Sequence, residues 1–242
     1  MAKKKKKKRV WKIKNIIILL LILLSIIGLF YYALNMPIKN IYIKGNKIIT
    51  DNEIIQITSL YEYPSFLLTK KSELEKKIEK NDYIKSATIK KKMGNILEIT
   101  IVENIPIVLT TEGKILLSNG NLLENVYELT DIPILINSID NQEILENFTK
   151  KFSKIDSNIL RQISQIEYSP VNVDEERFLL YMNDSNLVYI TLTKINKLNK
   201  YDRIKDKLEG KTGIIYLDAG DYIELKKENV DGQNLNNQNI TN

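Results

Sequence analysis

Carboxylates are the side chains that could carry out chemistry in this 242-residue chain, because it contains neither His nor Cys. That composition excludes thiolate nucleophiles, Ser-His-Asp triads and zinc sites built on His or Cys. A pair of carboxylates, as glycosidases use to cleave sugar polymers, remains conceivable. Its best candidate is Asp218, which follows the apolar residues 214–217. An Asp at a strand end usually caps a turn, so we predict no catalytic residue. We also predict no metal site and no cofactor.

The positive charge of the chain is concentrated at its N-terminus. Residues 3–14 contain nine Lys and Arg and no acid, and subtracting these nine from the formal net charge of +6 leaves −3 for residues 15–242. A nucleic-acid-binding domain carries its basic excess on the folded surface. We therefore predict no nucleic-acid partner, and nothing in the sequence indicates a small-molecule substrate.

A long apolar segment follows the basic run. Ile16–Met36 are 21 residues without a charge, and a helix of that length spans roughly 31 Å, close to the hydrocarbon thickness of a bilayer. The basic flank predicts that the N-terminus stays in the cytoplasm, and Trp11 and Tyr31–Tyr32 would lie at the two membrane interfaces. We predict a cytoplasmic tail at 1–14, one transmembrane helix at 15–36 and an extracytoplasmic remainder.

A cleaved signal peptide is the alternative interpretation of this segment, since it also begins with a basic stretch and an apolar run. Its apolar run extends over about 7–15 residues and ends at a small-x-small site. The run in this chain is longer, and residues 31–36 (YYALNM) offer no good Ala-x-Ala sequence. We therefore favour an uncleaved membrane anchor.

The first part of the exported chain begins with a strand and two helices. Ile38–Ile43 predicts the strand, and Gly45-Asn46 predicts the turn after it. Thr50 and Glu53 have the spacing of a capping box at the start of a helix. Ser72 is the expected N-cap of the second helix.

Two further strands complete this part of the chain. Residues 87–92 and 96–102 alternate between apolar and polar side chains, which indicates one buried and one solvated face. Gly94-Asn95 supplies the turn between them. Glu103 ends the last strand, and Pro106 sets the path into the next domain. The predicted order is β-α-α-β-β over residues 37–106.

Short strands and turns dominate the rest of the chain. The predicted strands are Ile107–Thr111, Ile115–Ser118, Ile163–Tyr168, Arg177–Met182, Leu187–Thr193, Gly213–Asp218 and Asp221–Lys227. Two helices interrupt them, one around residues 144–152 and one from Ile195 to a C-cap at Gly210. We predict an α+β fold in which a β-rich domain with two helices covers 107–227. The polar residues 228–242 have the composition of a disordered tail.

Five segments, in their order along the chain, are similar to the motifs of a known family. They are IYIKGNKIITDNEI (41–54), LEKKIEKNDYIKSATIKKK (74–92), LEITIVENIPIVL (97–109), DIPILI (131–136) and GIIYLDAGDYIELK (213–226). Together they resemble the FtsQ/DivIB family of bacterial cell-division proteins. The chain departs from the family pattern at Gly94, where Pro is common, at Asn104, where a basic residue is, and at Ala219, where Arg is.

The resemblance implies both an architecture and a role. It implies a POTRA domain at 37–106 and a β domain at 107–227. It also implies a non-catalytic scaffold of the division machinery, concentrated at the septum, that binds the small coiled-coil proteins FtsB/DivIC and FtsL outside the membrane. Such a scaffold helps to coordinate septal peptidoglycan synthesis, and its POTRA domain would contact other division proteins.

The resemblance also indicates where the partner binds, because in the family the last strands of the β domain form an exposed edge that receives it. An edge strand presents unpaired N–H and C=O groups to which a partner segment can add as a further strand. The predicted partner-binding residues are Tyr216, Tyr222, Ile223, Glu224, Leu225 and Lys226. Alternation places Ile223 and Leu225 on one side of the strand. The alternative interpretation is that these two are plain core residues and that Tyr222 is an ordinary surface aromatic.

Two other classes of protein remain as hypotheses. One is a membrane-anchored cell-wall hydrolase that uses a carboxylate pair including Asp218. The other is a POTRA-bearing protein that handles or transports unfolded polypeptides. Such proteins carry several POTRA modules and a membrane barrel, for which this chain has too little length.

Overall fold

The computed structural model describes residues 13–226 of the chain. The chain divides after Glu103 into two compact units. The predicted disordered tail at 228–242 lies outside the described residues, as does all of the basic tail except residues 13 and 14.

Helix α1 (Ile13–Leu34) is the predicted membrane segment. Its 22 residues extend over about 33 Å, and none of its side chains is buried against the rest of the protein. By length and composition it can cross a membrane. At its C-terminal end the side-chain amide of Asn35 donates a hydrogen bond of 2.8 Å to the Tyr31 carbonyl oxygen. That bond satisfies one of the last carbonyl groups of the helix.

The first unit is a three-stranded sheet with two helices. After α1 its elements are β1 (Asn40–Lys44), α2 (Asp51–Thr58), a 3-10 turn (Leu60–Glu62), α3 (Lys71–Ile78), β2 (Ile84–Lys92) and β3 (Ile96–Glu103). The central strand β3 pairs parallel with β1 and antiparallel with β2. Its alternate residues Leu97, Ile99 and Ile101 are buried in the core. The predicted β-α-α-β-β order is confirmed.

The two helix starts differ in how well the sequence predicts them. At α2 the capping box is confirmed, because the Thr50 backbone N–H donates to the Glu53 carboxylate at 2.8 Å and the Glu53 N–H donates to the Thr50 hydroxyl. The prediction that Ser72 caps α3 was wrong. The N-cap is Lys70, two residues before Ser72, since the Leu74 N–H already donates to the Lys70 carbonyl oxygen, and no side chain caps the helix.

Glu103 holds the loop between β1 and α2 against the end of β3. Its carboxylate accepts hydrogen bonds of 2.9–3.1 Å from three consecutive backbone amides, those of Lys47, Ile48 and Ile49. The loop begins at Gly45, where φ is +91° and a β-carbon would collide with the carbonyl oxygen of Ile101. Only glycine fits this turn.

The second unit is a nine-stranded mixed sheet with short helices. Its strands are β4 (Pro106–Thr110), β5 (Lys114–Leu117), β6 (Leu122–Glu124), β7 (Ile134–Leu135), β8 (Ile163–Tyr168), β9 (Arg177–Met182), β10 (Leu187–Thr191), β11 (Gly213–Tyr216) and β12 (Tyr222–Leu225). Their order across the sheet is β12-β11-β10-β9-β8-β7-β4-β5-β6. Strands β12 and β6 are therefore the two edges. Helix α4 (Gln142–Phe152) packs Phe148 and Phe152 against Phe178 of β9.

The helical connections of the second unit are more numerous and shorter than expected. Besides α4 there are α5 (Ser157–Leu160), a 3-10 helix (Leu192–Lys200) and α6 (Tyr201–Asp206). The prediction of one continuous helix from Ile195 to Gly210 was wrong, because this segment starts as 3-10 helix and changes to α-helix at Tyr201. The short strands β6 and β7 were not predicted.

Candidate partner-binding edge

Strand β12 is the last strand of the nine-stranded sheet and pairs with β11 on one side only. Within residues 13–226 no strand lies on its outer side. Tyr222, Ile223 and Leu225 are 51%, 37% and 48% exposed. The alternative interpretation of Ile223 and Leu225 as plain core residues was therefore wrong. An exposed edge with apolar side chains is a site for pairing with another chain.

The hydrogen-bonding pattern shows which backbone groups of β12 point outward. The Lys226 N–H donates to the carbonyl oxygen of Thr212, the residue opposite it just before β11, at 2.9 Å. In an antiparallel pair, directly opposed residues alternate between bonded and non-bonded pairs. Glu224 and Tyr222 are therefore the next residues bonded to β11. The N–H and C=O groups of Ile223 and Leu225 point away from the sheet, where an added strand would lie.

The side chains of Ile223 and Leu225 lie on the core-facing side of the sheet. Ile223 is opposite Ile215 of β11, which is 1% exposed, and Leu225 is opposite the buried Gly213. The sheet ends at β12, so the layer that covers Ile215 does not cover Ile223 to the same extent. The result is an apolar strip beside two outward amides.

A row of stacked rings crosses the opposite face of the sheet. Tyr222 of β12 stacks on Tyr216 of β11 with ring centroids 4.4 Å apart, and Tyr216 stacks on Tyr189 of β10 at 5.3 Å. The guanidinium carbon of Arg177 lies 3.9 Å from the centroid of the Tyr189 ring. Such stacked and cation–π contacts each contribute about 0.5–1.5 kcal/mol. The row therefore orders Tyr222 even though that ring is half exposed.

Asp218, the best catalytic candidate of the sequence, is engaged in structural contacts. One carboxylate oxygen accepts a 2.7 Å hydrogen bond from Arg177 Nε, and the other accepts one of 2.8 Å from the backbone N–H of Ala219. Lys194 Nζ also donates to the backbone carbonyl of Asp218. The side chain of Asp218 is only 7% exposed. These contacts stabilise the turn between β11 and β12, and each carboxylate oxygen of Asp218 already accepts a hydrogen bond.

A buried polar network fixes the start of β11. The Gly213 N–H donates to Asn186 Oδ1 at 2.8 Å, and Asn186 Nδ2 donates to the Tyr201 hydroxyl oxygen at 3.0 Å. The Tyr201 hydroxyl in turn donates to the Asp184 carboxylate at 2.8 Å. Burial, together with this acceptor, raises the pKa of Tyr201 well above its ordinary value. The network positions β11 and so the strand that carries β12.

The Asp184 carboxylate at the end of this network is held in its ionised form. Burial acts to raise its pKa, but hydrogen bonds from the Tyr201 hydroxyl and the Asn186 backbone act in the opposite direction. A third contribution comes from Lys205, whose Nζ lies 3.4 Å from Asp184 Oδ2. The balance leaves the pKa of Asp184 below its ordinary value.

All six residues predicted from the sequence lie at this edge, although on two different strands. Tyr216 belongs to β11, residues 222–225 form β12, and Lys226 directly follows it, with its Nζ donating to the Ser185 carbonyl oxygen at 3.1 Å. The strands β11 and β12 are shorter than predicted. Sequence reasoning missed Arg177 and Tyr189, because their place beside Tyr216 depends on a strand order that periodicity does not reveal.

Comparisons with known proteins agree with this architecture. Residues 36–104 match the model of the FtsQ-type POTRA domain. The chain is 31% identical to the cell division protein DivIB of Bacillus subtilis strain 168 over 229 residues, which cover 90% of this chain and 87% of the relative. It is 29% identical to DivIB of Listeria monocytogenes over 234 residues, covering 92% and 85%.

A solved structure also matches part of the chain. It is the major extracytoplasmic domain of DivIB from Geobacillus stearothermophilus, at 25% identity and a TM-score of 0.37, covering 44% of this chain and 95% of that domain. The extended similarity to the two DivIB sequences confirms the resemblance carried by the five sequence segments. The chain belongs to the FtsQ/DivIB family of bacterial cell division proteins.

Proposed function

We propose that this protein is a non-catalytic scaffold of the division complex, anchored in the membrane by α1, whose β12 edge receives a segment of an FtsB/DivIC-type partner as an added strand. The observation that carries the proposal is the pair of outward N–H and C=O groups at Ile223 and Leu225 beside exposed apolar side chains. Binding by strand addition takes affinity from such backbone groups and selectivity from alternate side chains.

The proposal includes the topology and location of the complex. The N-terminus lies in the cytoplasm, as the basic residues 3–14 indicate. The part of the first unit that follows α1, together with the second unit, lies on the other side of the membrane. There the protein binds FtsB/DivIC together with FtsL at the septum and helps to coordinate septal peptidoglycan synthesis. Its POTRA domain contacts further division proteins.

The two faces of β12 define the side chains that the added strand carries. On one face it needs apolar residues that cover Ile223 and Leu225. On the other face it passes the ring of Tyr222, which suits a flat aromatic or guanidinium group. A partner segment in which apolar side chains alternate with aromatic or guanidinium groups fits both requirements.

A non-catalytic role is supported by the contacts of Asp218. Both carboxylate oxygens accept hydrogen bonds that hold the β11–β12 turn. A glycosidase acid or nucleophile must instead reach the scissile bond of its substrate. The cell-wall hydrolase hypothesis therefore has no specific observation in its favour.

Replacement of Ile223 by Pro tests the proposal at the backbone level. The substitution removes an N–H that points outward, so the pairing of β12 with β11 stays intact while the added strand loses a donor. We expect co-purification of the full chain with the DivIC-type protein of the same cell to be lost, with an unchanged circular dichroism spectrum.

Leu122→Pro is the matched control on the opposite edge of the sheet. Leu122 is an exposed residue of β6, and its amide also points outward, because the Leu117 N–H is bonded to Asn121 and the pairs alternate from there. This variant should retain the partner. Normal co-purification of Ile223→Pro, or equal loss in both variants, would refute binding at β12.

A further inference from the structure

The segment that directly follows α1 is hydrogen-bonded to a loop of the first unit. The Phe66 N–H donates to the Met36 carbonyl oxygen at 2.8 Å, and the Ile38 N–H donates to the Pro64 carbonyl oxygen at 3.1 Å. The Ser65 hydroxyl donates to the carbonyl of Leu34, the last residue of the helix. Residues 64–66 therefore lie directly beside the end of the membrane segment.

A second loop bonds to the other side of the same segment. The Lys39 N–H donates to the Asn95 carbonyl oxygen at 2.9 Å, and Asn95 Nδ2 donates to the Pro37 carbonyl oxygen at 3.0 Å. Asn95 belongs to the turn between β2 and β3, two residues after Met93. The exit segment 36–39 is thus held between two loops, 61–68 and 93–95.

Chain geometry places both loops at the level of the lipid headgroups. The 22 residues of α1 extend over about 33 Å, which fills the hydrocarbon core and leaves Leu34 at its boundary. Met36 lies two residues beyond, so it is within roughly 7 Å of Leu34. The headgroup region on one side of a bilayer is roughly 5–8 Å thick.

The side chains of these two loops suit that environment. Exposed aromatic and aliphatic residues are grouped here, namely Tyr61, Tyr63, Leu67, Leu68 and Met93. Leu67 is 53% exposed, and Met93 is 96% exposed. Single exposed apolar residues are common on any protein surface. A group of five around the membrane exit, with two Tyr, has instead the composition of a membrane interface.

Lys91 fixes the shape of the first loop and adds positive charge to it. Its Nζ donates to the carbonyl oxygens of Phe66 and Leu67 and lies 5.0 Å from the centroid of the Phe66 ring. Burial and the neighbouring charge of Lys71 lower the pKa of Lys91. Anionic lipid headgroups would neutralise the positive charge of these two lysines.

We propose that loops 61–68 and 93–95 form a membrane seat, in which Leu67, Leu68 and Met93 insert among the lipid headgroups while Tyr61 and Tyr63 lie at the interface. The occupant of this surface is the lipid bilayer that α1 crosses. The proposal rests on the membrane anchor but not on partner binding at β12, so the Ile223→Pro experiment is independent of it.

Site-directed tryptophan fluorescence of the full chain tests the membrane seat. The only Trp in the sequence is Trp11, so Trp11→Phe gives a silent background for Leu67→Trp and, separately, Met93→Trp. Val102→Trp is the control, since Val102 is 48% exposed on β3 and lies about 20 Å along the strand from Ile96. Each variant is reconstituted into vesicles of phosphatidylcholine and phosphatidylglycerol that carry a nitroxide at the headgroup or high on the acyl chain.

We expect nitroxide lipids to quench Trp at 67 and 93 about twofold more strongly than Trp at 102, because interfacial residues lie within the headgroup layer. Aqueous acrylamide should show the reverse order. Native circular dichroism of each variant confirms that the comparison concerns folded protein, and the two separate loop positions guard against one unsuitable substitution. Equal quenching at all three positions would overturn the proposal and would indicate that a protein partner, not lipid, covers this surface.

Discussion

The backbone of Gly213 lies so close to Glu224 that a β-carbon at Gly213 would be 2.7 Å from the Glu224 carbonyl oxygen. Gly213 does not have a positive φ, so conformational freedom is not what requires glycine here. The requirement is the close approach of β11 and β12. Any other residue at this position must push the edge strand outward.

Gly213→Ala should therefore loosen β12 and weaken partner binding. Overpacking of this kind destabilises a protein by about 1–3 kcal/mol, and here the strain falls on β12, the strand that we propose receives the partner. Hydrogen exchange of the Tyr222 and Glu224 amides measures the loosening, and a binding titration with the DivIC-type partner measures the loss of affinity.

Ile214→Val is the control for this substitution, because it removes one methyl group from the neighbouring residue of β11 without adding an atom next to Glu224. It should keep both the amide protection and the partner affinity. Unchanged protection in Gly213→Ala would show that β12 tolerates the β-carbon, contrary to our expectation.

Glu103→Gln should destabilise the first unit. The carboxylate accepts hydrogen bonds from three backbone amides, whereas a Gln side chain has one accepting oxygen and an NH₂ group that would face N–H donors. Hydrogen bonds to charged groups contribute about 1.5–3 kcal/mol. We therefore expect a loss of roughly 2–3 kcal/mol in the free energy of unfolding, measured by denaturant titration of the first-unit transition.

Glu98→Gln is the corresponding control on the same strand. Glu98 forms ion pairs with Lys44 and Lys92, whose side chains are more than half exposed. Surface ion pairs contribute about 0–1 kcal/mol, so this variant should unfold close to the wild type. Equal destabilisation by the two substitutions would contradict the special role of Glu103.

Asp184 should make the stability of the second unit depend on pH on the acid side. Its pKa in the folded protein lies below the ordinary value, so the unfolded chain binds more protons as pH falls. The stabilisation is complete above the unfolded pKa of about 3.9 and is lost as pH falls from there through the lower folded pKa. The thermal midpoint of the second unit, followed between pH 6 and pH 2, should show this decline.

Asp184→Asn should flatten that acid-side decline because it removes the titrating group while keeping an oxygen that accepts from the Tyr201 hydroxyl. Asp131→Asn, a substitution of an exposed acid in the same unit, should leave the slope unchanged. A slope that is the same in wild type and Asp184→Asn would assign the pH dependence to other groups.

Local signals in the sequence predicted the first unit well. Turn residues such as Gly45 and Gly94, the capping box from Thr50 to Glu53, and two alternating strands each act within a few residues of the chain. The start of α3 was missed because no side chain marks it: the backbone of Lys70 takes the N-cap position without a side-chain hydrogen bond.

The second unit was predicted less completely, for physical reasons that concern distant parts of the chain. Strand β7 has only the residues Ile134 and Leu135, too few to show a period. Strands β10 and β11 pair in parallel although a 3-10 helix and α6 separate them in sequence. Periodicity does not encode which strands become neighbours. Likewise, alternation assigns Ile223 and Leu225 to a face, but their exposure depends on where the sheet ends.

The shortness of the exposed edge bears on how long a partner would stay bound. Under strand addition, the two outward-facing residues of β12 offer one N–H and one C=O each, and a hydrogen bond contributes a net of about 0.5–1.5 kcal/mol. Four such bonds amount to roughly 2–6 kcal/mol, whereas micromolar affinity corresponds to about 8 kcal/mol. Burial of the Ile223 and Leu225 side chains must supply the remainder. An edge of this size favours a complex that exchanges its partner over one that is permanent.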